Sequence, residues 1–317
     1  MGRGVEQTLA VLNGLLGDYL ARTKNGLATE MGLFRDEHAV PLEPASFTRA
    51  YPNPSGRVCV LVHGLMCTET IWRLPDGSDY GSLLERDLGW TACYVRYNTG
   101  VPIADNGAQL ARLLERLLAV YPRELEELLL IGYSMGGLVT RSACHVASIA
   151  GMGWLGRVKR IIYVATPHLG APAERLGKLT AGVLTAIRDP YTQLIADVAN
   201  LRSGGLQDLG HADLRHEDRV QQRSVWMLRD GRHPLPLLPN IQHTLIAGSL
   251  AVDPRLAFLF GDSLVSVVSG TFANQADEVR ELLPAERVKV LPGLSHVALA
   301  HHPAVYELIK STLESAP

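Results

Sequence analysis

Apolar positions along this chain fall into two alternating patterns. The first is a short continuous run rich in β-branched residues, as a strand buried on both faces of a parallel sheet requires. Arg57-Val58-Cys59-Val60-Leu61-Val62 is such a run, and residues 91–97, 128–131, 158–164, 242–247 and 286–291 repeat it. Between these runs, apolar residues recur at helical spacing over residues 80–88, 103–120, 138–149 and 304–313, and Pro122 stops the second of these helices. Strand and helix in alternation predict right-handed crossovers and a mostly parallel sheet flanked by helices on both faces, an α/β fold.

The rhythm breaks after Thr166-Pro167-His168-Leu169-Gly170-Ala171-Pro172. Residues 173–239 hold helical patterns at 173–187 and 191–201, then a polar segment and a Pro-rich stretch, with no clear strand. Helices inserted there between two sheet strands predict a lid or cap; ordinary sheet-covering helices are the alternative. Leu176, Leu179, Val183, Leu184 and Ile187 would line an acyl pocket or touch a lipid interface transiently, or else serve as plain core contacts.

At the other end, Glu6, Asn13 and Asp18 interrupt the mildly apolar first 22 residues, which read as an amphipathic helix packed on the domain rather than as a leader. Residues 39–54 are rich in Pro and read as an extended, turning connection. The expected division is therefore an N-terminal helix and connection over 1–56, a catalytic core over 57–172 and 240–317, and a helical lid over 173–239.

The chemistry centres on Leu130-Ile131-Gly132-Tyr133-Ser134-Met135-Gly136-Gly137, an apolar strand that meets a Gly-x-Ser-x-Gly turn and becomes a helix. A residue between a strand end and a helix start takes a strained backbone conformation, and small residues two before and two after it let the neighbouring chain pass. Ser134 is thereby held in the open, where the helix start aims unpaired N–H groups at the same spot. That geometry makes Ser134 the candidate nucleophile.

A serine hydroxyl needs a histidine to take its proton and a carboxylate to fix that histidine's tautomer. Such groups belong on loops at the carboxyl ends of strands. His296, in Pro292-Gly293-Leu294-Ser295-His296, lies just past the last strand pattern and is the expected base. His301 and His302 read as solvated residues at the start of the final helix. Asp262 is the expected acid and Asp253 its alternative, since both follow the strand at 244–247 and precede His296. The backbone N–H groups of Leu65, after the strand that ends at His63-Gly64, and of Met135 would form the oxyanion hole. His63 is expected to shape its loop rather than react. Ser263 sits in a Gly-Asp-Ser-Leu string that resembles another hydrolase class, but its late position lacks that class's context.

Composition narrows the partners. At 317 residues the chain suits one large domain with an insertion or two modest ones, and a net charge of -2 with pI near 6.6 offers neither a basic stripe for nucleic acid nor an acidic tail. Cys59, Cys67, Cys93 and Cys144 lack metal-ligand spacing and read as reduced, with a disulfide as the alternative; Cys59, Cys93 and Cys144 sit in apolar segments as buried small hydrophobes, whereas Cys67 falls in a loop, where a thiol would be accessible. No carboxylate cluster has calcium-loop spacing, so no metal or cofactor is expected. No run approaches the length of a membrane span, which predicts a soluble, cytoplasmic or otherwise water-borne protein.

Five motifs occur together: Val62-His63-Gly64-Leu65, Gly132-Tyr133-Ser134-Met135-Gly136-Gly137, Thr166-Pro167-His168-Leu169-Gly170, Asp262-Ser263-Leu264-Val265 and Leu294-Ser295-His296. In this order they resemble α/β-hydrolase lipases and esterases, most closely the bacterial triacylglycerol-lipase-like ones, from about Arg57 onward. The resemblance implies the α/β-hydrolase fold, the triad Ser134, Asp262 and His296, and hydrolysis of a small-molecule ester or lipid. It departs at Asp262-Ser263, where the family often has Asp-Gly. Acyl transfer, thioester or amide hydrolysis with the same residues, and a non-catalytic binding module of the same fold, remain as alternatives.

Overall fold

The computed structural model describes residues 3–170, 203–221, 235–251, 262, 265–271 and 282–314. Its centre is an eight-stranded sheet in the order β2-β1-β4-β3-β5-β6-β7-β8, where β1 is Gly32–Arg35, β2 His38–Val40, β3 Arg57–Val62, β4 Thr91–Arg96, β5 Glu127–Tyr133, β6 Val158–Val164, β7 Gln242–Ser249 and β8 Val288–Pro292. From β4 to β8 every neighbouring pair is parallel, and at the other edge β1 pairs antiparallel with both β4 and β2.

The apolar runs are continuous because both faces of the sheet are covered. In β3, Val58, Val60 and Val62 belong to one core cluster and Cys59 and Leu61 to the other, all five fully buried. On the first face lie α1 (Arg3–Arg22), α4 (Ile103–Val120) and α5 (Met135–Ala150), through Leu15, Leu110, Leu114 and Leu138. The second face carries α3 (Tyr80–Leu88) and the last helix, Pro303–Glu314, through Tyr80, Leu84 and Ile309.

The Pro-rich connection differs from its expected extended form. Residues 44–50 form a helix, α2 (Pro44–Ala50), with Pro in its first turn. A proline there removes only an N–H that has no helical partner, so it starts a helix as readily as it ends one. Phe47 fixes the turn by burying itself completely and stacking on Tyr51, ring centroids 4.6 Å apart. Before it, the short β1–β2 hairpin extends the sheet edge, with Leu33 facing Val95 on one side and Val40 on the other.

Helix α1 buries Val11, Leu15 and Leu20. Asn13, one of the residues that breaks its apolar pattern, is also buried, and its amide donates to the carbonyls of Leu9 and Leu27 while its oxygen accepts from the Thr29 N–H, all at 2.9 Å. Among the described residues no helix is long and apolar enough to cross a membrane.

Of the expected lid, residues 173–202 and 222–234 lie outside the described residues, and with them Leu176, Leu179, Val183, Leu184 and Ile187. Its described parts include the helices Gly204–His211 and His216–Gln221. Leu209, Leu214, Leu235 and Leu237 from this region sit in the same core cluster as α4 and α5.

Candidate active site

Strand β5 delivers Ser134 into a tight turn with φ 52° and ψ -124°, a conformation sparsely allowed to a residue with a side chain. The Ser134 N–H donates to the Val164 carbonyl of the adjacent strand at 2.8 Å, so the strained residue is tied to the sheet. Glycines make the turn possible. A Cβ on Gly132 would come within 2.5 Å of Gly137 Cα, one on Gly136 within 2.2 Å of the Val62 carbonyl oxygen, and one on Gly137 within 2.0 Å of Thr166 Oγ1.

The loop after β8 and the region after β7 bring two further groups to Ser134. His296 Nε2 lies 2.9 Å from Ser134 Oγ, and His296 Nδ1 lies 2.9 Å from Asp262 Oδ2. Backbone bonds support this line: the His296 N–H donates to the Asp262 carbonyl at 2.8 Å, and the Val265 N–H donates to Asp262 Oδ1 at 2.7 Å. Ser134, His296 and Asp262 are all buried. With Nδ1–H donated to the carboxylate, Nε2 presents its lone pair to the serine hydroxyl, the arrangement needed to remove that proton.

The loop after β3 approaches the serine from the other side. The Cβ position of Gly64 is 3.0 Å from Ser134 Cβ, so the loop that carries Leu65 packs against the nucleophile turn. Residues 64–67 form a turn closed by the Cys67 N–H donating to the Gly64 carbonyl at 3.3 Å. Met135 is the first residue of α5, a position whose N–H has no partner within the helix.

His63 holds this loop. Its Nδ1 donates to the Gly64 carbonyl at 2.9 Å, its ring stacks on Tyr97 at 4.6 Å, and the Tyr97 hydroxyl donates to the His63 carbonyl at 2.8 Å. Burial pushes His63 down to about 4, so the ring is neutral at ordinary pH. His168 is buried beside Arg141, with Arg141 Nη1 3.3 Å from His168 Nδ1, and burial and that cation hold it well below the usual histidine range. The Thr166-Pro167-His168 segment is anchored under the sheet end, where the His168 N–H donates to the Ser269 carbonyl at 3.0 Å.

One expectation changes. His301 and His302 are half-buried rather than solvated: the His302 N–H donates to the Tyr80 hydroxyl at 2.8 Å, and His302 Nδ1 accepts from the Ala304 N–H at the start of the last helix. Asp253 and Ser263 lie outside the described residues. All four cysteines are free thiols; Cys59, Cys93 and Cys144 are buried, and burial holds Cys67 up at about 12. Among the described residues no group of His, Cys, Asp and Glu is arranged to hold a metal ion.

Thr99 is a supporting residue that motif reading missed. Its Oγ1 accepts the Met66 N–H at 3.1 Å, across 33 positions of sequence, and nothing near Thr99 in the chain signals that role.

Solved structures share this architecture. The mature form of the Bacillus licheniformis lipase BlEst2 superposes with a TM-score of 0.50 at 18% identity, over 83% of this chain and 94% of that one. Its propeptide form gives 0.51 at 18% identity, over 84% and 52%, and Aspergillus fumigatus lipase B gives 0.51 at 13% identity, over 82% and 52%. The chain spans about half the length of the latter two. At such identities the likeness is one of fold. A comparison with curated proteins finds no match. The description "Alpha/beta hydrolase family" matches residues 59–307, most of the 317-residue chain, and the protein therefore belongs to the alpha/beta hydrolase family.

Proposed function

We propose that the protein is a serine hydrolase that cleaves carboxylic esters through an acyl-enzyme on Ser134. The observation that carries this reading is the unbroken line Asp262 Oδ2, His296 Nδ1, His296 Nε2, Ser134 Oγ, with a 2.9 Å contact at each of its two joints. In the proposed reaction His296 takes the hydroxyl proton as Ser134 attacks the ester carbonyl. The tetrahedral oxygen receives hydrogen bonds from the Leu65 and Met135 N–H groups, and His296 returns the proton to the departing alkoxide. Water then repeats the steps in reverse and frees the carboxylic acid. Asp262 keeps the imidazole in the productive tautomer and stabilises it when charged.

The substrate class in this reading is a small-molecule ester or lipid, a class in keeping with the lipase names of the fold neighbours. A panel of p-nitrophenyl esters graded from acetate to palmitate tests it. Turnover by the wild-type chain that vanishes in a folded Ser134→Ala variant supports the proposal, and the acyl length preferred separates esterase from lipase behaviour. Equal turnover by the two proteins contradicts it.

A further inference from the structure

Helix α1, residues 3–22, lies outside the 59–307 span of the family description, yet it packs directly on the loop that carries Leu65. Midway along it, a Cβ on Gly14 would come within 2.4 Å of Met66 Cγ, 3.4 Å of Met66 Cα and 3.3 Å of Thr99 Oγ1. That threonine oxygen is the acceptor of the Met66 N–H. One turn further on, Gly17 sits against Asn98, whose side-chain amide donates to the Gly17 carbonyl at 2.9 Å. From the facing loop, Gly100 looks back, with its Cβ position 2.1 Å from the Asn13 carbonyl oxygen. Glycine inside a helix is disfavoured relative to alanine, so its presence at 14 and 17 is explained by the close approach and not by propensity.

The same helix is fastened from a third direction. Ser203 Oγ donates to the Gly14 carbonyl at 2.7 Å, and the Gly204 N–H donates to Asp18 Oδ2 at 3.0 Å.

What α1 presses on is itself strained. Met66 is the third residue of the turn over residues 64–67 and has φ +58°, a position where glycine is favoured. A methionine stays there only if its surroundings hold it. Its N–H is held by Thr99 and its side chain by the bare face of Gly14. Leu65 is the second residue of the same turn: its carbonyl shares a peptide with the Met66 N–H and its own N–H lies one peptide earlier, so a shift of Met66 displaces the Leu65 Cα and, through it, that N–H.

We propose that α1 is a positioning element for the oxyanion donor: Gly14, acting through Met66 and Thr99, sets the direction of the Leu65 N–H. This rests on the ester-hydrolase reading, in which that N–H receives the tetrahedral oxygen. An N–H that meets the oxygen mainly in the transition state affects kcat more than KM.

The test is steady-state hydrolysis of p-nitrophenyl butyrate by the full chain and by Gly14→Ala, Met66→Ala, the double variant, Thr99→Val and Gly4→Ala. Gly14→Ala is expected to lower kcat about tenfold with KM within about twofold, because a misaimed donor loses part of what a deleted one loses. In the Met66→Ala background the Cγ is gone, so the same change is expected to cost less than about twofold. Gly4, on the same helix with nothing within 4 Å of its Cβ position, is expected to tolerate alanine at the wild-type rate. Thr99→Val decides the matter if Gly14→Ala fails to fold, and a kcat-specific loss is expected there too. Wild-type kcat in both Gly14→Ala and Thr99→Val, or an equal Gly14→Ala loss with and without the Met66 side chain, overturns the proposal while leaving the Ser134 chemistry in place. A wild-type protein that neither hydrolyses the ester nor reacts with a fluorophosphonate overturns both.

Discussion

His296 is held by Asp262 at two points, through its ring and through its backbone: Nδ1 to Oδ2 at 2.9 Å and N–H to the carbonyl at 2.8 Å. The second bond depends only on backbone atoms and survives a change of the Asp262 side chain. Asp262→Asn therefore keeps the loop in place while removing the carboxylate that selects the tautomer. It is expected to lower kcat by about 10⁴, with KM and thermal midpoint nearly unchanged. Asp253→Asn serves as the comparison and is expected to retain activity. A reversed pattern in ester turnover would assign the acid to Asp253.

The nucleophile turn predicts a packing penalty. A methyl group on Gly136 would meet the carbonyl oxygens of Val62 and His63 at 2.2 and 2.4 Å, backbone atoms of the central strand and the loop after it that have little room to give. Gly136→Ala is expected to destabilise the protein by about 3 kcal/mol, the upper range for overpacking, despite alanine's better helix propensity. Urea unfolding measures this, and an unchanged midpoint would show that the turn has slack.

Acid sensitivity follows from the buried histidines. Burial holds both His63 and His243 down at about 4, against about 6.5 for a histidine in the unfolded chain. Between those values the unfolded state binds more protons than the folded one, so stability falls as pH drops from about 6.5 to about 4 and is unaffected above that window. Each ring contributes about 3 kcal/mol to the loss when the window is fully crossed. His243→Gln is expected to flatten the decline in unfolding free energy measured from pH 7.5 to pH 4.5. Parallel wild-type and variant curves would contradict this.

How much of this was readable from the residues alone depends on how local each constraint is. The turn at Ser134 is legible because its strain demands glycines at fixed offsets, and those offsets are written in sequence order. His296 is legible from its place after the last strand run, since β8 ends at Pro292 and the loop leads straight to it. Asp262 is harder: following β7 is a property it shares with Asp253, and its contact with the His296 ring exists only in three dimensions. The β1–β2 hairpin is too short and too close to the sheet edge to show a period, and Pro44 reads equally as a helix start or a turn. The Thr99 support of Met66 and the seat of α1 on that loop have no local signature, because the partners meet only after the sheet has formed.

The central claim is that Ser134 is the nucleophile, and covalent labelling followed by mass measurement tests it most directly. After treatment with a fluorophosphonate, the wild-type chain is expected to gain one adduct, which peptide mapping places on Ser134, and folded Ser134→Ala is expected to gain none. An unlabelled wild-type chain, or an adduct that persists in Ser134→Ala, would contradict the account.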